Sequence, residues 1–170
     1  MKKKSYKLLT VIVLAIMISS CASTIKTTGA FKLETKINKL EIVCVTPDRV
    51  GKFSTNLCNS LKNDLTNNGI TVTTHVFDEM TPTLTDGIAD STLTEDNDVV
   101  LKITHIRISL YNGAPCGTLM NIGMYTKSNG KKPIWVGRVQ TSGSNITGPG
   151  NPDKVSKEII NQLIADGFKF

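Results

Sequence analysis

Three cysteines and two histidines carry the side chain types that could support covalent or metal chemistry: Cys44, Cys58, Cys116, His75 and His105. The cysteines are 14 and 58 positions apart, which matches no zinc-ligand spacing. No third ligand is positioned by the sequence beside the two histidines. A cysteine–histidine nucleophile pair would need a local signature that the chain lacks. We therefore predict no catalytic residue, no bound metal and no cofactor.

The fourth cysteine follows an export signal. Four lysines among the first seven residues precede an apolar run, Leu8–Ile18, which has the length of a signal core and is too short to cross a bilayer comfortably. The next residues, Ile18-Ser19-Ser20-Cys21, resemble a bacterial lipobox, whose cysteine is acylated before cleavage. The resemblance implies that Cys21 is the first mature residue and the lipidation site. Each buried CH₂ contributes about 0.8 kcal/mol, so several acyl chains hold a protein stably on a membrane.

Two further expectations concern the end of this signal. Residue 22 is Ala rather than Asp, which in the enterobacterial sorting pattern implies an outer-membrane lipoprotein that faces the periplasm. The alternative is an ordinary secretory peptide cleaved after Ala22.

Composition limits the possible partners of the mature chain. The full chain has 20 basic and 14 acidic residues, but four of the lysines lie in the signal, so the mature chain has a net charge of only +2. This small excess gives no argument for nucleic-acid binding. In an oxidising compartment, Cys44, Cys58 and Cys116 permit one disulfide and one free thiol, in any of three pairings.

Hydrophobic patterning predicts two helices and the strands that they cover. The run Leu40–Val45 is typical of a central strand buried on both faces. Apolar residues recur every four positions from Phe53 to Leu65, which predicts a helix ended by Gly69. Asp48 or Ser54 is expected to cap its start. A second helix is predicted from Pro152, capped by Asn151 and ended by Gly167, with Phe168 packing beneath it.

Alternation predicts the remaining strands. Asp98–Tyr111 contains the longest candidate, with a change of phase between Thr104 and His105 that suggests a bulge. Residues 112–117 are expected to form a turn-rich loop. Asn129-Gly130 is typical of a type I′ hairpin turn. The hairpin would pair Met124 with Trp135 and Met120 with Val139, and place their apolar side chains on one face.

These elements predict an α+β fold: a mixed sheet of about five strands, in the order strand-helix-strand-strand-strand-strand-helix, with both helices on one face. We expect a signal peptide at 1–20, a flexible tether at 21–30 and one periplasmic domain at 31–170. Residues 78–97 hold six acidic residues and no Lys or Arg. They are expected to form a long solvated loop rather than a Ca²⁺ site, because the spacing of an EF-hand is missing.

Several segments resemble small Gram-negative envelope lipoproteins. They are Leu40–Val45 as the first strand, Asp98–Leu101 as the strand after the acidic loop, Pro133–Gly137 as a hairpin arm and Ile159–Phe168 as the closing helix. More distantly, the pattern is similar to the curli-secretion lipoprotein, to penicillin-binding-protein activator lipoproteins and to the N-terminal domain of TolB. The resemblance implies an α/β domain that acts as an adaptor without catalysis.

Two functions follow as hypotheses. The first is a lipid-anchored adaptor or assembly factor of the envelope, with a protein partner and no nucleic acid. Its possible interface residues are Tyr125, Trp135 and Arg138, because aromatic residues and Arg are enriched at contacts. The alternative interpretation of Trp135 is that it belongs to the core of the sheet. The second hypothesis is a periplasmic carrier of a small ligand or lipid, which needs an apolar pocket between the sheet and the helices.

Overall fold

In the computed structural model of the protein, which describes residues 23–28, 36–78, 99–129, 132–143 and 148–170, two helices cover one face of a six-stranded mixed sheet. The strands are β1 (Ser23–Thr28), β2 (Lys39–Thr46), β3 (Thr71–Asp78), β4 (Val99–Tyr111), β5 (Ala114–Thr126) and β6 (Trp135–Ser142), and the helices are α1 (Gly51–Asn67) and α2 (Pro152–Ala165). The strand order across the sheet is β1-β6-β5-β4-β2-β3.

Strand β2 is the buried centre of the parallel part of the sheet. It pairs in parallel with β3 on one side and with β4 on the other. All its residues after Lys39 are buried. Leu40, Ile42 and Cys44 belong to the core beneath the helices, and Val43 belongs to a smaller cluster on the opposite face. The prediction of a central strand from the apolar run is confirmed.

Helix α1 presents the predicted stripe of Phe53, Leu57, Leu61 and Leu65, all buried. Gly69 adopts φ +84°, the left-handed conformation expected after a helix. The predicted cap is wrong. A 3₁₀ turn at Asp48–Val50 leads into the helix, so Val50 rather than Asp48 or Ser54 occupies its N-cap position, and Val50 makes no side-chain capping hydrogen bond.

Helix α2 begins and ends as predicted. The Asn151 side chain accepts hydrogen bonds from the backbone of Asp153 and Lys154, with Pro152 in the first turn. At the other end, Gly167 has φ +99°. The Phe168 amide donates to the Leu163 carbonyl, and the buried Phe168 ring packs edge-on against a tryptophan of β6, with 6.3 Å between the ring centroids.

The β5–β6 ladder has the predicted register. Met124 pairs with Trp135, Ile122 with Gly137 and Met120 with Val139. Gly137 is needed because a Cβ there would lie 2.4 Å from Cη2 of Trp135. The expected two-residue turn is not formed, because Lys127–Asn129 is a 3₁₀ turn and the ladder ends at the Met124–Trp135 pair.

The sheet has one strand more than the five expected. The additional strand is β1, which lies inside the segment expected as a tether and pairs antiparallel with β6. Its residues are mostly polar, and Ile25 alone packs against the core. A second difference is that β5 begins at Ala114, within the segment expected as a loop. Of the expected acidic loop, only Asp78 is among the described residues. Residues 29–35 also lie outside them. Among the described helices, none is both long and apolar enough to cross a membrane.

Substituting Gly137 tests the contact with Trp135. We expect Gly137→Ala to lower the free energy of unfolding by about 1–3 kcal/mol, because the new methyl group forces the buried indole out of place. Gly51→Ala is the matched control, since nothing lies within 4 Å of a Cβ at Gly51 and its backbone is already helical. That variant should keep or slightly raise stability. Urea unfolding measures both, and equal stabilities would contradict the steric account.

Candidate functional site

A buried network of hydroxyl groups surrounds one histidine where β2 ends. Ser54 Oγ lies 2.7 Å from Thr46 Oγ1 and 2.8 Å from His105 Nε2, and it donates to the Val50 carbonyl at 3.1 Å. His105 Nδ1 lies 2.8 Å from Thr118 Oγ1. The Thr118 hydroxyl also donates to the Arg107 carbonyl at 3.2 Å.

Two cysteines adjoin this network. Cys44 and Cys58 are buried with 0% and 1% of their surface exposed. Hydrogen bonding with the Cys58 thiol lowers the pKa of Cys44 to about 6; burial opposes this change, and His105 and Ser54 assist it. The same contact, together with burial, raises the pKa of Cys58.

The cluster has the residue types of a nucleophilic site, but it is closed to substrate. Cys44, Cys58, Ser54 and His105 are all at most 7% exposed. In the part of the chain that the structure describes, no buried side chain nitrogen or oxygen lacks a hydrogen-bond partner. The arrangement therefore stabilises the join between helix α1 and the sheet, as satisfied buried polar groups do.

The other candidates from the sequence lie apart. His75 is on β3, with Nε2 3.4 Å from Oε1 of the buried Glu41. Cys116 is half-exposed on β5, and its thiol donates to the Ser109 carbonyl at 3.5 Å. Within the described ranges no three His, Cys, Asp or Glu side chains are grouped to hold a metal. Cys21 lies outside them.

The three predicted interface residues differ in exposure. Trp135 is 1% exposed and its Nε1 donates to Asp166 Oδ2 at 2.7 Å, so it belongs to the core and cannot meet a partner. Arg138 is exposed, and its Nε donates to the Asn121 side chain at 3.4 Å. Tyr125 is half-buried, and burial raises the pKa of its hydroxyl. Only the last two remain available at the surface.

A projecting hairpin offers a larger apolar surface. Strand β4 pairs with β2 only as far as Thr104, while its ladder with β5 continues to the Tyr111–Ala114 pair. We call residues 106–116 the arm. Its tip is a two-residue turn at Asn112 and Gly113, whose φ values of 50° and 80° are those of a type I′ turn.

Three large apolar side chains are exposed on the arm: Ile106 at 48%, Leu110 at 44% and Tyr111 at 59%. The first of them lies at a bulge, which was predicted between Thr104 and His105 and is found one position later. The register shifts between His105 and Arg107, so His105 still faces the helices while Ile106 is exposed. Sequence reasoning missed the arm, although its Asn-Gly dipeptide was a signal that could have revealed it.

A cleft of about 470 Å³ lies beside the arm, between Pro115, the start of α1 and residues 148–152. Arg49, Lys52 and Asp48 line it. This is not the pocket that a carrier was expected to have, because apolar side chains fill the layer between the sheet and the helices.

Comparison with known proteins identifies the fold. No protein-family model matches the chain, and no curated protein matches it significantly. Among solved structures, PelC from Paraburkholderia phytofirmans, a dodecamer, superposes with a TM-score of 0.52 and 13% identity over 88% of this chain and 99% of PelC. The chain shares the fold of PelC. Lipoprotein GNA1162 from Neisseria meningitidis is also similar, with a TM-score of 0.42 and 16% identity over 75% of this chain and 99% of that one.

The hydroxyl network predicts a large cost for removing Ser54. We expect Ser54→Ala to reduce the free energy of unfolding by about 1–3 kcal/mol, because buried partners lose a hydrogen bond. Ser60→Ala is the matched control on the same helix, since Ser60 also donates to the carbonyl four residues earlier, and both this bond and its bond to Asp153 are exposed to solvent. It should cost about 0.5 kcal/mol or less. Chemical denaturation measures the free energy of unfolding of both variants. A loss for Ser60→Ala as large as that for Ser54→Ala would refute a stabilising contribution of the buried hydroxyl network.

Proposed function

We propose that the chain is a lipid-anchored lipoprotein of the outer membrane, facing the periplasm, that acts as an assembly factor without catalysis. The observation that carries the proposal is the exposed apolar surface of the arm. We propose a second copy of the chain as the partner bound there. PelC, which has the same fold, is a dodecamer, and this supports self-assembly as the first hypothesis to test.

The start of β1, which follows the proposed anchor, and the arm lie at the same end of the sheet. Ser23 pairs with Thr141, which pairs with Thr118, which pairs with Ile108, so these four residues form one row across the sheet. The arm continues beyond this row, and Ser23 is the described residue closest in sequence to Cys21. Two residues span at most about 7 Å. A lipid on Cys21 would therefore bring the arm and its partner close to the membrane surface.

Exposed apolar side chains support a binding role. Soluble surfaces rarely gather large apolar side chains, and such groups commonly mark contact sites. The free edge of β4 beyond Thr104, within the described residues, also leaves backbone groups able to pair with another strand. Both features suit a protein partner that adds to the edge of the arm.

Anchoring is tested by Cys21→Ser in cells that express the full chain. We expect wild-type protein to incorporate a labelled fatty acid and to sediment with outer membranes. Cys21→Ser should lose the label and leave the membrane fraction. The control is Cys116→Ser, which should behave as wild type. An unlabelled wild-type protein would contradict lipidation and favour the secretory alternative.

The partner is tested by placing a photoreactive amino acid at Tyr111, with Asn59 on the exposed side of α1 as the control position. We expect a cross-linked product of the chain with itself from position 111 and none from position 59. A product with another envelope protein would replace the second copy as partner and retain the assembly role. Cross-linking to lipid alone would contradict that role.

A charge on the arm should disrupt this assembly. We expect Leu110→Asp to weaken self-association at least about tenfold, because burying an unpaired carboxylate in an apolar contact is unfavourable. Ile164→Asp is the matched control, since Ile164 on α2 is 52% exposed and lies away from the arm. Light scattering of the purified lipoprotein in detergent measures both. A monomeric wild-type protein, or equal effects of the two variants, would oppose the arm as the contact.

A further inference from the structure

Helix α1 lies across β2 so that their facing residues form regular rungs. Thr46 near the end of β2 contacts Ser54 in the first turns of α1, with 2.7 Å between their oxygens. One helical turn of four residues advances about 6 Å, and two strand residues advance about 6.6 Å. The helix runs back along the strand, so moving from Ser54 to Cys58 matches moving from Thr46 to Cys44. Cys44 and Cys58 thus form the next rung.

The contact between these thiols agrees with this placement. Cys44 and Cys58 are both buried in the same core cluster, and each side chain is the first cause of the other's pKa shift. Small side chains at Thr46, Ser54, Cys44 and Cys58 allow the helix to approach the strand closely. Cys116 is held elsewhere, because its thiol donates to the backbone of Ser109 on the arm. The structure thereby distinguishes one of the three possible pairings.

We propose that Cys44 and Cys58 form an intramolecular disulfide that ties helix α1 to strand β2, and that Cys116 remains a free thiol. The structure shows all three as thiols, which is the reduced form. The inference rests on the proposed export of the chain for its setting, since disulfides persist in oxidising compartments. The placement of Cys58 beside Cys44 does not depend on the compartment in which the protein resides.

The oxidant is a disulfide, either of a small thiol such as glutathione or of a thiol–disulfide oxidoreductase. The Cys44 thiolate attacks one oxidant sulfur, forms a mixed disulfide and releases the other sulfur as a thiolate. Cys58 then loses its proton and attacks Cys44 Sγ, which releases the second oxidant sulfur. Two cysteine thiols are oxidised, one oxidant disulfide is reduced to two thiols, and the two protons pass to the released sulfurs.

Burial fixes when this exchange takes place. Both sulfurs lie beneath α1 with almost no exposed surface, so an oxidant reaches them before the helix packs, during folding. Once formed, the bond is shielded from reductants by the same packing.

Peptide mapping of the full chain tests the pairing. Cells that export the lipoprotein are quenched in acid, and the denatured protein is alkylated without reduction and digested with trypsin. Cleavage after Lys39, Arg49, Lys52 and Lys62 places the two cysteines in peptides 40–49 and 53–62. We expect these peptides to be linked, and peptide 108–127 to carry the alkyl group on Cys116. Alkylated Cys44 and Cys58, or a link to peptide 108–127, would overturn the proposal.

Two variants and one refolding experiment separate the pairing from export. Cys116→Ser should keep the link, and Cys58→Ala should lose it and leave Cys44 alkylated. The purified, reduced wild-type chain refolded with oxidised glutathione should form the same link without any export. Reduction should lower the Tm of wild type and of Cys116→Ser by about 10 °C. If the refolded chain does not form the Cys44–Cys58 disulfide, the proposed pairing is wrong. If the disulfide forms in this refolding but not in cells, the proposed export to an oxidising compartment is wrong. If Cys58→Ala does not fold, wild type and Cys116→Ser still decide the result.

Discussion

The packing of helix α1 on strand β2 is the constraint on which the rest of the structure depends. Strand β2 pairs in parallel on both sides, so its polar backbone is satisfied entirely by β3 and β4. Its helix-facing side chains need cover, and α1 supplies it with Phe53, Leu57, Leu61 and Leu65. Because one turn of helix matches two residues of strand, the same register that packs leucine on the sheet also brings Ser54 to Thr46 and Cys58 to Cys44.

The bulge beside His105 connects this core to the exposed arm. Up to His105 the alternation of β4 follows the sheet, and the imidazole reaches Ser54 and Thr118 in the interior. The register with β5 then shifts before Arg107, and the next apolar side chain, Ile106, is exposed. One inserted residue thus ends the contribution of β4 to the core and begins a hairpin that is free of β2. A bulge at such a position redirects side chains and twists the strand.

The sequence patterns that predicted structure correctly were those with several mutually consistent signals. The register of β5 with β6 followed from apolar side chains on one face, and Gly137 beside Trp135 agreed with it. The chain contains three Asn-Gly dipeptides, of which Asn68-Gly69 follows helix α1. Of the other two, the one at Asn129 was predicted to form a type I′ turn, and this choice was wrong. The pair at Asn112 forms the type I′ turn, whereas Asn129 ends a 3₁₀ turn. Turn chemistry alone does not state which strands a dipeptide joins.

Features that depend on distant partners could not be predicted. Strand β1 is mostly polar, and its place in the sheet comes from backbone pairing with β6 far along the chain. Ser54 has the composition of a helix cap, but Thr46 and His105 engage it in the interior. Each outcome was set by a residue remote in sequence, which periodicity cannot supply.

The position of β1 changes what the proposed anchor does. A flexible tether would let the domain move away from the membrane, whereas a strand that begins at Ser23 leaves one residue, Ala22, between Cys21 and the sheet. Because Ser23 shares a row with Thr118 and Ile108, the lipid would also set which end of the sheet faces the bilayer. The arm, the cleft beside Pro115 and the start of α1 would then lie at that end. A link between Cys44 and Cys58 would hold α1 in place there, so the membrane-facing surface would be built on a helix fixed covalently to the sheet.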